Sequence, residues 1–190
     1  KFYDDRFGVN LDPATEVINL IGAKEGIAHA ALCFIDPGDI SISPDPAYPV
    51  YEIGTMFAGG TTHFVTLKQE KGYLVDFADI PTAVAKKAKT LWVNYPNNPT
   101  GALIPREMLE EIANIARDAG AWVLCDEVYR GTDQKGQGMT ASMADIYEKG
   151  ISTAGMSKAY SLAGLRLGWI AAPNELIEEV MIHRDYDTIS

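Results

Sequence analysis

Lys158 stands among Ala154, Gly155, Ser157 and Ala159, with Arg166 eight positions further on. Little bulk surrounds that amine, and a strand-like run from Gly150 to Ala154 leads into it, which suits a group that another molecule must reach. An amine attacks a carbonyl only when deprotonated, and partial burial or a neighbouring cation favours that state. Arg166 stays charged at any working pH and presents a planar fork to phosphate or carboxylate. Taken alone, the pair reads most simply as a surface lysine and a structural arginine; only other segments converging on them would say otherwise.

Several segments offer such chemistry. Asp126 closes the apolar run Ala121 to Cys125, and a carboxylate buried there is costly without a donor or cation beside it, such as a protonated ring nitrogen. If the strand continues, Glu127 points to the opposite side and Tyr129 returns a phenol to the side of Asp126. Asn97, Asn98, Pro99, Thr100 and Gly101 follow another apolar run. A turn explains that composition, and an amide bonded to a ligand oxygen is the alternative. Tyr48, in the proline-fixed stretch PDPAYPVY, either lies against a planar ligand or packs the core. In Gly22-Ala23-Lys24-Glu25-Gly26, glycine is ordinarily a matter of turn geometry. The same small residues leave backbone N–H groups of Ala23 and Lys24 accessible to an anion at a helix start.

The elements that must position these residues follow from alternation. VINL, DISIS, THFVTL, TLWVNYP, AWVLC, ISTAGMS and LGWIAAP have strand character, and segments such as AKEGIAHAALCFI, YPVYEIGTMFAG, FADIPTAVAKKA and PREMLEEIANIARDAG separate most of them. Strands divided by helix-length segments cannot be simple hairpins, which predicts an α/β fold of three layers, its central sheet mainly parallel and helices on both faces. Pro105 opens the strongest helix and Gly120 closes it. Ligands in such sheets collect outside the carboxyl ends of the strands, where all five segments above would meet.

Composition narrows the classes. The 190 residues are 47% hydrophobic, enough for one sizeable core, and the net charge of −10 argues against a nucleic-acid or anionic-membrane surface. No signal-peptide pattern or membrane-length apolar run occurs. Cys33 and Cys125 sit in apolar runs without metal-like spacing, which predicts buried thiols, no metal centre and a cytoplasmic setting. His29, His63 and His183 fit no motif, and the methionines read as core filler.

In order and spacing, Asn98-Pro99-Thr100-Gly101, Asp126-Glu127-Val128-Tyr129 and Ser157-Lys158 with Arg166 resemble the class I and II aminotransferases, fold-type I enzymes that depend on pyridoxal phosphate. The resemblance spans essentially the whole chain. It implies that residues 1–190 are the large cofactor-binding domain, with an N-terminal arm and a C-terminal small domain outside the segment, and that the substrate-carboxylate arginine lies in that C-terminal part. It implies Lys158 as Schiff-base lysine and proton shuttle, Asp126 as partner of the pyridinium nitrogen, and Asn98 and Tyr129 as partners of the phenolic oxygen. Tyr48 would stack on the ring, while Ala23 and Lys24 through their backbone, together with Arg166, would hold the phosphate. Many relatives carry a phosphate-binding serine where this chain has Gly155, which puts a side-chain hydroxyl contact in doubt and leaves Ser157 as the candidate substitute.

The activity so implied is transfer of an α-amino group between an amino acid and a 2-oxo acid, in a homodimer, with neither nucleic acid nor membrane as partner. Carbon–sulfur lyases and a cyclopropane-forming synthase share the architecture, although the lyases usually read DEIH where this chain reads DEVY. An aminotransferase-like effector domain of a transcriptional regulator is the reading from another class. The GAKEG loop is similar to the diaminopimelate and aspartate branches without choosing a substrate.

Overall fold

The computed structural model describes residues 1–132 and 140–187. Helix α1 (Phe2–Phe7) leads to β1 (Val17–Ile21), α2 (Ala23–Phe34) and β2 (Ile40–Asp45). Then come α3 (Val50–Phe57), β3 (Thr61–Thr66), the single turn α4 (Thr82–Ala85) and β4 (Ala88–Asn94). The second half runs α5 (Arg106–Ala119), β5 (Trp122–Asp126), α6 (Met143–Ile146), β6 (Gly150–Gly155), β7 (Leu167–Ala171) and α7 (Asn174–Asp187).

The strands form one sheet in the order β1-β7-β6-β5-β4-β2-β3. Strands β6, β5, β4, β2 and β3 run parallel, and β7 is antiparallel to both β6 and β1. This is the mainly parallel three-layer arrangement expected. The one reversal matters for function. Because β7 runs the other way, Arg166 just before it lies at the same sheet edge as the carboxyl ends of β1, β5 and β6, with Leu167 opposite Ile21 and Gly168 opposite Gly155.

Side-chain alternation along the central strands divides the core in two. Leu91 and Val93 of β4, with Val123 and Cys125 of β5, face Leu109, Ile112, Ala113 and Ala116 of α5. Trp92 and Leu124, between them in sequence, face the other way, onto a cluster with Ile27 of α2, Tyr51 of α3 and Ile177 of α7. Both faces are therefore covered. Fully buried aliphatics such as Ile112 and Val123 each stabilise the fold by about 1.5–3 kcal/mol.

The α5 boundaries match their signals: Pro105 stands at the N-cap, and Gly120 takes the left-handed conformation with φ 69° and donates to the carbonyls of Ala116 and Arg117. The stretch FADIPTAVAKKA differs from expectation. It forms a 3-10 turn over Phe77–Asp79 and the four-residue α4, because Pro81 stops any helix crossing it and Ala88 already belongs to β4. Among the described residues no helix is long and apolar enough to cross a membrane.

Candidate active site

The expected convergence is found. A cavity of about 260 Å³ at the carboxyl edge is lined by Ala23, Lys24, Tyr48, Asn98, Asp126, Tyr129, Ser157, Lys158 and Arg166, together with Gly155. Every residue expected to contact a cofactor thus faces one space.

Its first corner is built for an anion. Helix α2 begins at Ala23 with no side-chain cap, so its first N–H groups are open to a ligand. The N-cap Gly22 has φ 76°, and a β-carbon there would lie 2.3 Å from Nη2 of Arg166. Glycine therefore does two things: it permits the backbone turn and makes room for a guanidinium at the helix start. Arg166 is fixed there by donating to the carbonyl of Ala163 at 2.9 Å, with longer contacts of 3.4 Å to Ser157 Oγ and the carbonyl of Ile21. Fixed N–H donors and a guanidinium fork together suit a phosphate dianion. The Ser157 hydroxyl thus sits beside Arg166 at the same corner.

Gly155 permits the close approach of β6 to β7, and Gly168 that of β7 to the start of α2. A β-carbon on Gly155 would lie 3.1 Å from the Leu167 carbonyl oxygen and 3.3 Å from the Gly168 Cα. On Gly168 it would lie 2.4 Å from the Ala23 nitrogen and 2.6 Å from the Gly22 carbonyl carbon. Both contacts are to backbone, which cannot swing aside. Gly168→Ala is expected to destabilise the chain by about 2 kcal/mol and lower Tm by about 4–8 °C. Gly164→Ala, where a β-carbon meets nothing within 4 Å, should stay within about 0.5 kcal/mol of the parent. Thermal melts of the two variants side by side check the difference.

The opposite corner holds the acid. Asp126 ends β5 only 3% exposed. Its Oδ2 accepts from the Tyr51 hydroxyl at 2.7 Å and its Oδ1 from the Val128 N–H at 3.1 Å. Burial pushes its pKa up to about 6, and Glu127 adds to the rise; the Tyr51 and Val128 donors and the Lys158 charge pull the other way. Asn94, opposite Asp126 in the ladder, braces this end: its amide donates to the Asp126 carbonyl at 2.9 Å, and its oxygen accepts from the Asn98 N–H at 2.8 Å. One buried side chain thus sets the spacing between Asp126 and Asn98.

One expectation needs correction. Tyr129 reaches the cavity, but not by strand alternation: β5 ends at Asp126, and a turn closed by Arg130 N–H to the Glu127 carbonyl carries the phenol round. The turn is held by Glu127, which is buried and ion-paired with Arg130. Its Oε1 accepts from Ser152 at 2.8 Å and from Ser142 and the Met143 N–H at 3.1 Å each. Four donors offset the cost of burying that charge, and they hold the chain in a turn where a strand would have gone on. Lys158 lies exposed on the open loop after β6, as an amine that another molecule must reach should; its Nζ stands 5.7 Å from the Tyr129 ring centroid.

Tyr51 is the site residue that sequence reasoning missed. It is buried, with its ring stacked on Trp92 at 4.4 Å and edge-on to Tyr48 at 5.9 Å. A signal existed. A carboxylate buried in an apolar strand end needs a donor even before any ligand arrives, and an apolar-looking helix face carrying a tyrosine can supply one. His29 and His183, with Cys33, line a separate apolar cavity of about 30 Å³ between α2 and α7, away from this site.

The arrangement fits pyridoxal phosphate by its donors: an anion corner, a buried acid, an amide and a phenol, an aromatic face, and an accessible amine. Comparisons with known proteins agree. The family described as aminotransferase class I and II matches residues 1–185. An LL-diaminopimelate aminotransferase of Moorella thermoacetica is 43% identical over 179 residues, which cover 93% of this chain and 46% of that protein. One from Aquifex aeolicus is 44% identical over 178 residues, with the same coverage of 93% and 46%. The solved aromatic aminotransferase from Pyrococcus horikoshii superposes with a TM-score of 0.88 at 30% identity, covering 97% of this chain and 50% of that one. The chain spans about half the length of the curated relatives it matches.

Proposed function

The chain belongs to the class I and II aminotransferases, and from that premise we propose that it binds pyridoxal phosphate and serves the transfer of an α-amino group between an amino acid and a 2-oxo acid. The convergence of Lys158, Asp126, Asn98, Tyr129 and the α2 anion corner on one cavity carries this reading. When bound, the cofactor supplies an electron sink for negative charge developing at the substrate α-carbon.

The chain's own residues divide the remaining work. The N–H groups of Ala23 and Lys24, with Arg166 and Ser157, hold the phosphate. Tyr48 packs against the ring face, Asn98 and Tyr129 bond the phenolic oxygen, and Asp126 in its ionised form keeps a proton on the ring nitrogen. Lys158 holds the cofactor through Nζ and, once freed by the substrate, takes the proton from the α-carbon with the same atom. Anchoring the ring at its phosphate, its nitrogen and its face confines the reacting carbon to the reach of that amine, which is where orientation contributes to rate.

Relatives at 43–44% identity are named for LL-diaminopimelate, so that diamino diacid is the amino donor we propose to test first. In the protein carrying this segment, a 2-oxo acid acceptor should be aminated at the expense of LL-diaminopimelate. Pyruvate and thiol released from cystathionine, without amino-group transfer, would overturn the assignment in favour of elimination. Residues 1–190 alone are proposed to form the cofactor-binding domain, as part of a homodimeric enzyme working in the cytoplasm. They should take up pyridoxal phosphate yet show negligible turnover; robust turnover of the 190-residue chain would refute that division of labour.

A further inference from the structure

Two of the contacts just assigned, the aromatic face at Tyr48 and the acid at Asp126, come from segments far apart in sequence, and one side chain touches both. Tyr51 donates its hydroxyl to Asp126 Oδ2 at 2.7 Å and presents its ring edge-on to Tyr48 at 5.9 Å and 84°. Its own ring is clamped by Trp92 of β4, stacked at 4.4 Å and 14°. The mounting is rigid: Tyr51 is 1% exposed and Trp92 3%. The Tyr51 carbonyl also accepts from Thr55 Oγ1 one helical turn on, at 2.9 Å.

We propose that Tyr51 is the positioning residue of the cofactor site, setting Asp126 and Tyr48 at the spacing that one flat ring requires and keeping Asp126 in the ionised form that a protonated ring nitrogen needs. The first half is geometric. An ionised carboxylate offers about four acceptor positions; Tyr51 and Val128 take two, and those contacts fix the rotation of the group, so that the remaining positions open on the cavity Asp126 lines. The second half is electrostatic. The phenol can only donate to the carboxylate, since burial and the neighbouring acid hold its own proton firmly in place. The charged groups acting on Asp126 are Glu127 beside it in the chain, which disfavours ionisation, and Lys158 beyond β6, which favours it. Tyr51 is thus the strongest specific contact opposing burial.

The proposal rests on the pyridoxal-phosphate reading, and its test separates the two. In the cofactor-free protein with carboxyl-labelled aspartate, carbon NMR follows the Asp126 titration, its signal identified by loss in Asp126→Asn. Tyr51→Phe keeps the stacked ring and removes one hydroxyl; the Asp126 midpoint should rise by about one pH unit, a tenfold gain in proton affinity. Site-specific fluorotyrosine at position 51 keeps the hydroxyl and makes it a stronger donor, so the midpoint should fall, which guards against a misfolded Tyr51→Phe. In the cofactor-loaded protein the pH midpoint of the visible spectrum should move with Tyr51→Phe as well. Midpoints unchanged in both variants would reduce Tyr51 to packing and overturn the proposal. Failure of the parent chain to take up pyridoxal phosphate would overturn it together with the cofactor reading, and the cofactor-free titration would show which part had failed.

Discussion

Lys158→Ala is expected to abolish covalent retention of pyridoxal phosphate and to lower amino-group transfer on the order of a thousandfold, the scale of a lost proton-transfer group. Among the described residues two lysines line the cavity, Lys24 and Lys158, and the assignment is a choice between them. Lys24 is the second residue of α2, beside the anion corner, where its ammonium adds charge for a phosphate. Lys158 stands at the other side, near the Tyr129 ring, and its charge is felt by Asp126. An amine that must reach the carbon flanked by the phenolic oxygen belongs with Tyr129 rather than with the phosphate. Borohydride reduction followed by peptide mapping makes the choice measurable: the cofactor should stay on the peptide containing Lys158 and on no peptide of the variant. Label on Lys24 in the parent chain would overturn the assignment and with it the proton-transfer role.

The convergence that supports this choice is legible in the sequence because it depends on strand ends. Apolar runs such as LWVN and WVLCD mark buried parallel strands by composition alone, and the residue that follows each run must then lie at the carboxyl edge. That logic places Asp126, Asn98, Lys158 and the α2 start, and the structure puts all of them around one cavity. Properties set by contacts between distant segments are not legible. The turn that delivers Tyr129 depends on Glu127 meeting Arg130, Ser142 and Ser152, partners up to 25 residues away. The Tyr51 hydroxyl finds Asp126 across 75 residues, and no period or propensity in PVYEIG announces it. FADIPTAVAKKA misleads for a local reason: its apolar residues have helical spacing, but Pro81 divides it and the neighbouring strand takes its end.

Asp126→Asn should cripple the site and, in the cofactor-free protein, relieve a stability cost that grows with pH. The functional loss follows from charge: an amide cannot favour a proton on a ring nitrogen as a carboxylate does, and losing such a preorganised electrostatic contact is expected to lower turnover on the order of a hundredfold or more. The stability effect follows from linkage. Burial holds the folded carboxyl at a pKa of about 6 against an ordinary 3.8. Between those values the folded state keeps a proton that the unfolded chain has already released, so stability falls as pH rises through about 4 to 6 and levels off above. The accumulated cost is about 3 kcal/mol. The variant's amide has no such titration, and its altered hydrogen bonds to Tyr51 and Val128 add only an offset that is the same at every pH. Glu148, whose pKa Arg117 holds down at about 2, acts in the opposite sense but equally in both proteins, and it cancels in their difference. Urea unfolding of the two cofactor-free chains from pH 4 to pH 8 reads that difference directly. It should grow in favour of the variant up to about pH 6 and then stay constant. A flat difference across the range would mean that Asp126 ionises as an ordinary carboxylate does, and the buried acid would lose its claim to be tuned for a cation. Adding pyridoxal phosphate should reverse the order at pH 8, because only the parent chain regains, through the protonated ring nitrogen, the partner that its buried charge lacks.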